Sequence, residues 1–366
     1  MDLPDFKTEQ WMNDHEGNAV YNMTDTCVEP LSWNELAAMD RDHLLDHVMM
    51  DYGTITGDER LKREILSLYT SGSEENITMA QGCLQANEMV LDTLLNPGDT
   101  VLTFAPGYQQ FTDIPAAIGC HVIQLPLYEE RGWMPDFHEI EDAMHQPVRM
   151  IILNHPSNPT GSFLKKEDLQ RLADLAGKQN TWILSDEVYR GLHVDEISVS
   201  DIYERGISTS SFSKLFSLAG LRLGWIKGNR ELIHQINVRR DYTIISTGQL
   251  ADTLGLIALQ HKEELLKRSR KITDANREVL QKFLKEDHRF SCVIPCAGTV
   301  CFLKYEGRIS SRDLAEGIQK KYGVFYVPGS CFGCENHLRL GLTRNPHQTE
   351  EGLRLTARYL SEVTER

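Results

Sequence analysis

Between about Gly82 and Gly228 the chain alternates short apolar runs with amphipathic stretches. Thr100-Val101-Leu102-Thr103-Phe104, His121-Val122-Ile123-Gln124-Leu125 and Met150-Ile151-Ile152-Leu153 are too short for helices and are bounded by Gly, Pro or Asn. They read as strands, buried ones where the run is continuous. Trp182-Ile183-Leu184-Ser185-Asp186 repeats the pattern, and Lys166 to Gly177 spaces its apolar residues as an amphipathic helix between two strands. Strands so separated predict an α/β fold, a mostly parallel sheet covered by helices, whose ligands lie at the C-terminal ends of the strands. From Asn229 one long helical stretch runs through Arg240, Leu254 and Arg268 into a second unit. Short strands are expected there at Cys292 to Pro295 and Val300 to Tyr305, then helices at Ser311 to Lys321 and Thr349 to Glu365, making an α+β unit. His43 and His47 sit four apart and predict one face of a helix.

Composition narrows the field. A chain of 366 residues predicts two domains, and 53 acidic against 38 basic residues give a net charge of -15. No basic run with interleaved aromatics occurs, so nucleic acid and anionic membrane are not expected partners. No apolar run approaches the ~20 residues of a membrane helix. Met1-Asp2-Leu3-Pro4-Asp5 lacks a signal-peptide core, which predicts a cytoplasmic protein. Cys331 and Cys334 have redox or metal-like spacing but no second pair, and read as a loop without a metal.

Three segments carry chemistry. Ser211-Phe212-Ser213-Lys214 precedes Gly220-Leu221-Arg222-Leu223-Gly224. A lysine in apolar surroundings beside a cation has its pKa pushed down, so Lys214 suits attack on a carbonyl as a neutral amine. Arg222, Ser211 and Ser213 suit a phosphate. Together they describe a lysine holding pyridoxal phosphate (PLP) as an imine, or else one anchoring another phosphate. Asn154-His155-Pro156-Ser157-Asn158-Pro159-Thr160-Gly161 closes a strand, with Asn158 held extended and its amide free for a ligand, or is simply a tight turn. Asp186 ends a strand where it could keep a pyridine nitrogen protonated, and Tyr189 could share the ring's phenolate oxygen with Asn158. A helix cap and a core phenol are the plainer readings of those two.

In this order the segments resemble the class I/II aminotransferases, PLP enzymes of fold type I, from about Asp51 to Leu342. The resemblance implies a seven-stranded-type sheet in a PLP-binding domain at residues 46–260. It also implies a small C-terminal domain at 261–366, and an arm at 1–45 bordering the substrate entrance. His155 departs from the asparagine often found before the first proline. Asp51-Tyr52-Gly53 is similar to the segment whose tyrosine reaches the phosphate in the partner subunit, so a homodimer with shared sites is implied. Gly82-Cys83-Leu84 looks like the phosphate-cradling turn at a helix N-terminus, where backbone N–H groups of Cys83 and Leu84 would hold the phosphate. Tyr108 looks like the ring that stacks on the pyridine, and Arg339 like the clamp for a substrate α-carboxylate.

The resemblance further implies amino transfer between an L-amino acid and a 2-oxo acid, with Lys214 as base and Asp186 and Tyr189 at the cofactor. A lyase or cyclase acting by β- or γ-elimination would share every one of these residues. The arm is acidic at Glu9, Asp14, Glu16 and Asp25, and Glu9-Gln10-Trp11-Met12 loosely resembles the start of arginine-processing members such as capreomycidine synthase. Glu9 is therefore a candidate contact for a cationic side chain, against the alternative of a solvated acidic face.

Overall fold

A computed structural model describes residues 2–193 and 196–364. Its centre is a seven-stranded sheet built from β2 (Ile77–Ala80), β3 (Thr100–Ala105), β4 (His121–Pro126), β5 (Met150–Asn154), β6 (Trp182–Asp186), β7 (Gly206–Ser211) and β8 (Gly224–Lys227), after a short β1 (Tyr21–Asn22) in the arm. The order is β2-β8-β7-β6-β5-β3-β4, and only β8 runs against its neighbours. β5, β6 and β7 are almost wholly buried, which is why their sequences read as continuous apolar or small-residue runs rather than alternating ones. Helices Cys83–Leu94 and Lys166–Gly177 cover the sheet. Each buries an apolar stripe, Leu169, Leu172, Ala173 and Ala176 in the second case.

A smaller antiparallel sheet orders β12 (Val327–Pro328), β13 (His337–Gly341), β10 (Val300–Tyr305) and β9 (Phe290–Ser291), while β1 pairs in parallel with β11 (Val324–Phe325). The arm thereby joins the second sheet system, and Trp11 of the arm helix Lys7–His15 sends its indole N–H to Tyr326 O at 2.8 Å.

Several expected elements differ. The strand expected at Cys292 to Pro295 is instead the two-residue β9, paired Phe290 to Tyr305 and Ser291 to Lys304. Pro295 has no N–H to give a ladder, and the chain there leaves the sheet to pack on the Asn158–Gly161 loop. A Cβ on Gly161 would meet Val300 O at 2.2 Å and Pro295 Cβ at 2.7 Å. The single helical stretch after Asn229 is three helices, Arg230–Arg240, Gln249–Gln260 and Lys262–Glu286. Between the first two, Ile245 and Gly248 take positive φ, and buried Arg240 pins the turn by donating to Ile245 O and Met79 O. His43 and His47 do not share an α-helical face. His43 is left-handed and precedes a 3₁₀ turn, Leu44–His47, whose N–H groups at Leu44 and Leu45 are taken by Asp40. The last helix is Pro346–Thr364, and Glu365 lies outside the described residues. Among the described residues no helix is long and apolar enough to cross a membrane.

Candidate active site

Parallel register aligns the ends of three strands. Asn154 of β5 lies opposite Asp186 of β6, and Asp186 opposite Thr209 of β7. Lys214 follows β7 by one short turn. These ends floor a pocket of about 350 Å³ that Lys214, Asp186, Tyr189, Asn158, Tyr108, Cys83, Leu84, Ser211, Ser213, Arg222, Arg339 and Glu9 all line. Tyr52 is the one expected site residue outside it, 64 % exposed on a loop.

At one end of the pocket helix Cys83–Leu94 begins without any side-chain cap, leaving its first N–H groups for an anion. Gly82 precedes it at φ 83 and ψ 172, a conformation that side chains avoid. The Arg222 guanidinium lies against this turn, since a Cβ on Gly82 would meet Arg222 Nη2 at 2.7 Å. Gly224 is equally constrained, for its Cβ would meet Gly82 C at 2.7 Å and Ser210 O at 2.7 Å. An uncapped helix end, two serines and a guanidinium make a cradle that fits a phosphate monoester, and so fits PLP.

Asp186, 6 % exposed, accepts from Asn87 Nδ2 at 2.8 Å and from Val188 N at 3.1 Å. Burial pushes its carboxyl up and the Asn87 hydrogen bond draws it back. Asn158 donates its N–H to Asn154 Oδ1 at 2.7 Å and accepts at Oδ1 from Arg339 Nη1 at 3.4 Å. Arg339 also donates from Nε to Thr24 Oγ1 at 3.0 Å. It is 4 % exposed yet has no carboxylate partner among the described residues, the condition of an arginine built to receive an anionic ligand.

The surroundings of Lys214 correct one expectation. Its Nζ donates to Thr26 Oγ1 at 2.7 Å and approaches Cys27 Sγ at 3.5 Å. Burial disfavours the ammonium, but Tyr189, Cys27 and Asp25 outweigh it and hold Lys214 above its ordinary value. The cation that opposes them is Arg339 and not Arg222, which is turned to the helix Cys83–Leu94 and to Ala219 O.

The arm closes the other side of the pocket. Glu9 Oε1 accepts from the Tyr108 hydroxyl at 3.0 Å, and the Phe6 ring packs on Tyr108 with centroids 4.9 Å apart. Asp25 also lines the pocket but is engaged by Arg344, whereas Asp14 and Glu16 are outside the lining, Glu16 accepting from Asn22.

Thr24, Thr26, Cys27 and Asn87 were not expected from the sequence. The first three lie more than 180 residues from Arg339 or Lys214, and no local pattern marks them. Asn87 had a signal, a polar residue among Cys83, Ala86, Val90 and Leu91 on the buried stripe of its helix.

A sequence model of the family "Aminotransferase class I and II" matches residues 28–354. A PLP-dependent aminotransferase from Streptococcus suis 89-1591 superposes with a TM-score of 0.95 at 32% identity, covering 99% of this chain and 99% of that one. Capreomycidine synthase of Streptomyces vinaceus is 26% identical over 361 residues, 96% of this chain and 92% of that protein. Arginine–pyruvate transaminase AruH of Pseudomonas aeruginosa is 25% identical over 325 residues, 85% of this chain and 83% of that protein.

Proposed function

The chain belongs to the class I and II aminotransferases and is a PLP-dependent aminotransferase, and from that premise we propose that its amino donor is an L-amino acid with a cationic side chain. The observation that carries this is Glu9, which lines the pocket, is oriented by Tyr108, and has no cationic partner among the described residues. A guanidinium or ammonium on the substrate supplies that partner. The relatives named for arginine–pyruvate transamination and for capreomycidine synthesis agree with such a donor.

The residues take the following parts. The N–H groups of Cys83 and Leu84 would hold the cofactor phosphate together with Ser211, Ser213 and Arg222. Tyr108 would face the ring, Asn158 and Tyr189 would hold its phenolate oxygen, and Asp186 would keep its ring nitrogen protonated. Once bound, PLP supplies a sink for the electrons left when a bond to the substrate Cα breaks. Arg339 fixes the substrate α-carboxylate, so that the Cα proton is presented to Lys214. Nζ of Lys214 removes that proton, which requires the neutral amine.

The protein works in the cytoplasm as a homodimer in which Tyr52 reaches the phosphate of the partner's cofactor. The eight cysteines are all free, as in a reducing compartment. Met49, Met50 and Tyr52 are exposed by 65 %, 86 % and 64 %, on a loop that Gln249 ties to the helix Gln249–Gln260 through Met49 N–H. Apolar side chains so exposed beside Tyr52 suit burial against a second copy of the chain.

Purified protein is screened against arginine, lysine, aspartate and alanine while the cofactor spectrum, 2-oxo acid and ammonia are followed. Arginine-class donors should yield 2-oxo acid stoichiometric with enzyme, and added pyruvate or 2-oxoglutarate should reset the spectrum. Catalytic release of ammonia would assign the chain to elimination chemistry instead, and a preference for aspartate would remove Glu9 from the specificity.

A further inference from the structure

We propose that Asn87 is a positioning residue that sets the charge on the cofactor's ring nitrogen by acting through Asp186. This rests on the assignment of Asp186 to that nitrogen.

Asn87 is 1 % exposed and sits on the buried stripe of helix Cys83–Leu94. A buried amide costs free energy unless its hydrogen bonds are made, so its presence there needs a reason. Every polar atom of the side chain is engaged. Nδ2 donates to Asp186 Oδ2 at 2.8 Å and to Gln110 Oε1 at 3.2 Å, while Oδ1 accepts from Thr209 Oγ1 at 2.5 Å. Gln110 is itself fixed, because its Nε2 donates to Leu84 O at 2.7 Å.

This wiring allows one orientation of the amide. The Thr209 hydroxyl has a single proton, and it is given to Asn87 Oδ1. Turning the amide over would set Oδ1 against the Asp186 carboxylate, oxygen to oxygen. Asn87 is thus locked as a donor towards Asp186, and a donor favours the carboxylate over the neutral acid. Burial drives Asp186 the other way, and the Asn87 bond is the leading influence that counters it. A carboxylate can hold a ring N–H as a charge-assisted pair. A neutral acid in its place would offer its own proton and leave the ring a weaker electron sink.

A purely structural Asn87 would tie its helix to β7 without touching the ring's protonation, and that difference is measurable. Holoenzyme is prepared with PLP labelled with ¹⁵N in the ring, as wild type, Asn87→Leu and Thr209→Val. The valine is isosteric and preserves packing if the leucine variant does not fold. Wild type should give a pyridinium resonance near neutral pH. Asn87→Leu should move it towards the unprotonated position, and Thr209→Val should move it part of the way. Turnover of Asn87→Leu should fall roughly 10- to 100-fold, the range seen when second-layer hydrogen-bond partners are removed at metal sites. Loading a ring N-methylated cofactor, whose cation cannot be titrated, should close that gap to wild type carrying the same cofactor. A pyridinium resonance unmoved in both variants, or a gap that persists with the N-methylated cofactor, overturns the role of Asn87. An unprotonated ring in wild type overturns the Asp186 assignment itself, and this proposal with it.

Discussion

Gly82→Ala tests the phosphate cradle at its tightest point. Gly82 holds φ 83 and ψ 172, a region open in practice only to glycine, where a side chain costs on the order of 1–3 kcal/mol. The added Cβ would also lie 2.7 Å from Arg222 Nη2, and the flexible guanidinium is the group that would move. Displacing it forfeits a charge-assisted contact to phosphate worth roughly 1.5–3 kcal/mol, or about 10- to 150-fold in the Kd for PLP. Titration of apoprotein with PLP, followed by tryptophan fluorescence and cofactor absorbance, reads this directly. A cycle with Arg222→Ala identifies the route, because if Gly82 acts through Arg222 the double variant should bind little worse than Arg222→Ala alone. Normal PLP affinity in Gly82→Ala, or fully additive losses in the cycle, would refute the reasoning.

Other outcomes follow from the same geometry. Glu9 is solvent-exposed, so Glu9→Ala should lower kcat/KM for arginine several-fold, about 1 kcal/mol in activation free energy, and leave alanine nearly unchanged; equal losses for both substrates would count against a substrate contact. Tyr52→Phe chains mixed with Lys214→Ala chains should regain activity above either parent through hybrid sites, and sedimentation as monomer at assay concentration would exclude it. Burial lowers His155 from 6.5 to about 4, so the folded state resists a proton that the unfolded chain takes up. That contribution is complete above pH 6.5 and is lost as pH falls towards 4, about 3 kcal/mol at most. Denaturant titrations across this window should show a shallower loss of stability for His155→Asn than for wild type, and parallel curves would refute the assignment.

The sheet was legible because its central strands are buried on both faces and so appear as unbroken apolar runs between Gly and Pro. The residues at their ends were legible for the same reason, since the end of a run marks the end of a strand. What crosses the chain was not. Thr26 and Cys27 meet Lys214 from far away in sequence, and the cation nearest to it in effect is Arg339, supplied by the second sheet, although Arg222 is the neighbour in sequence. Short strands failed where register depends on a partner, as at β9, whose length is set by Lys304 and Tyr305 and by Pro295. The helix break at 241–248 was hidden because its cause is the Arg240 side chain bonding to β2. The arm's acidity could not separate Glu9, which is turned into the pocket, from Asp14 and Glu16, which are not.

Lys214 should carry PLP in this pocket. Borohydride reduction of the purified holoenzyme followed by peptide mapping tests it most directly. Loss of the yellow colour is expected, with a stable adduct on the peptide containing Lys214 that is absent from Lys214→Ala. A reduced adduct on any other lysine would contradict it.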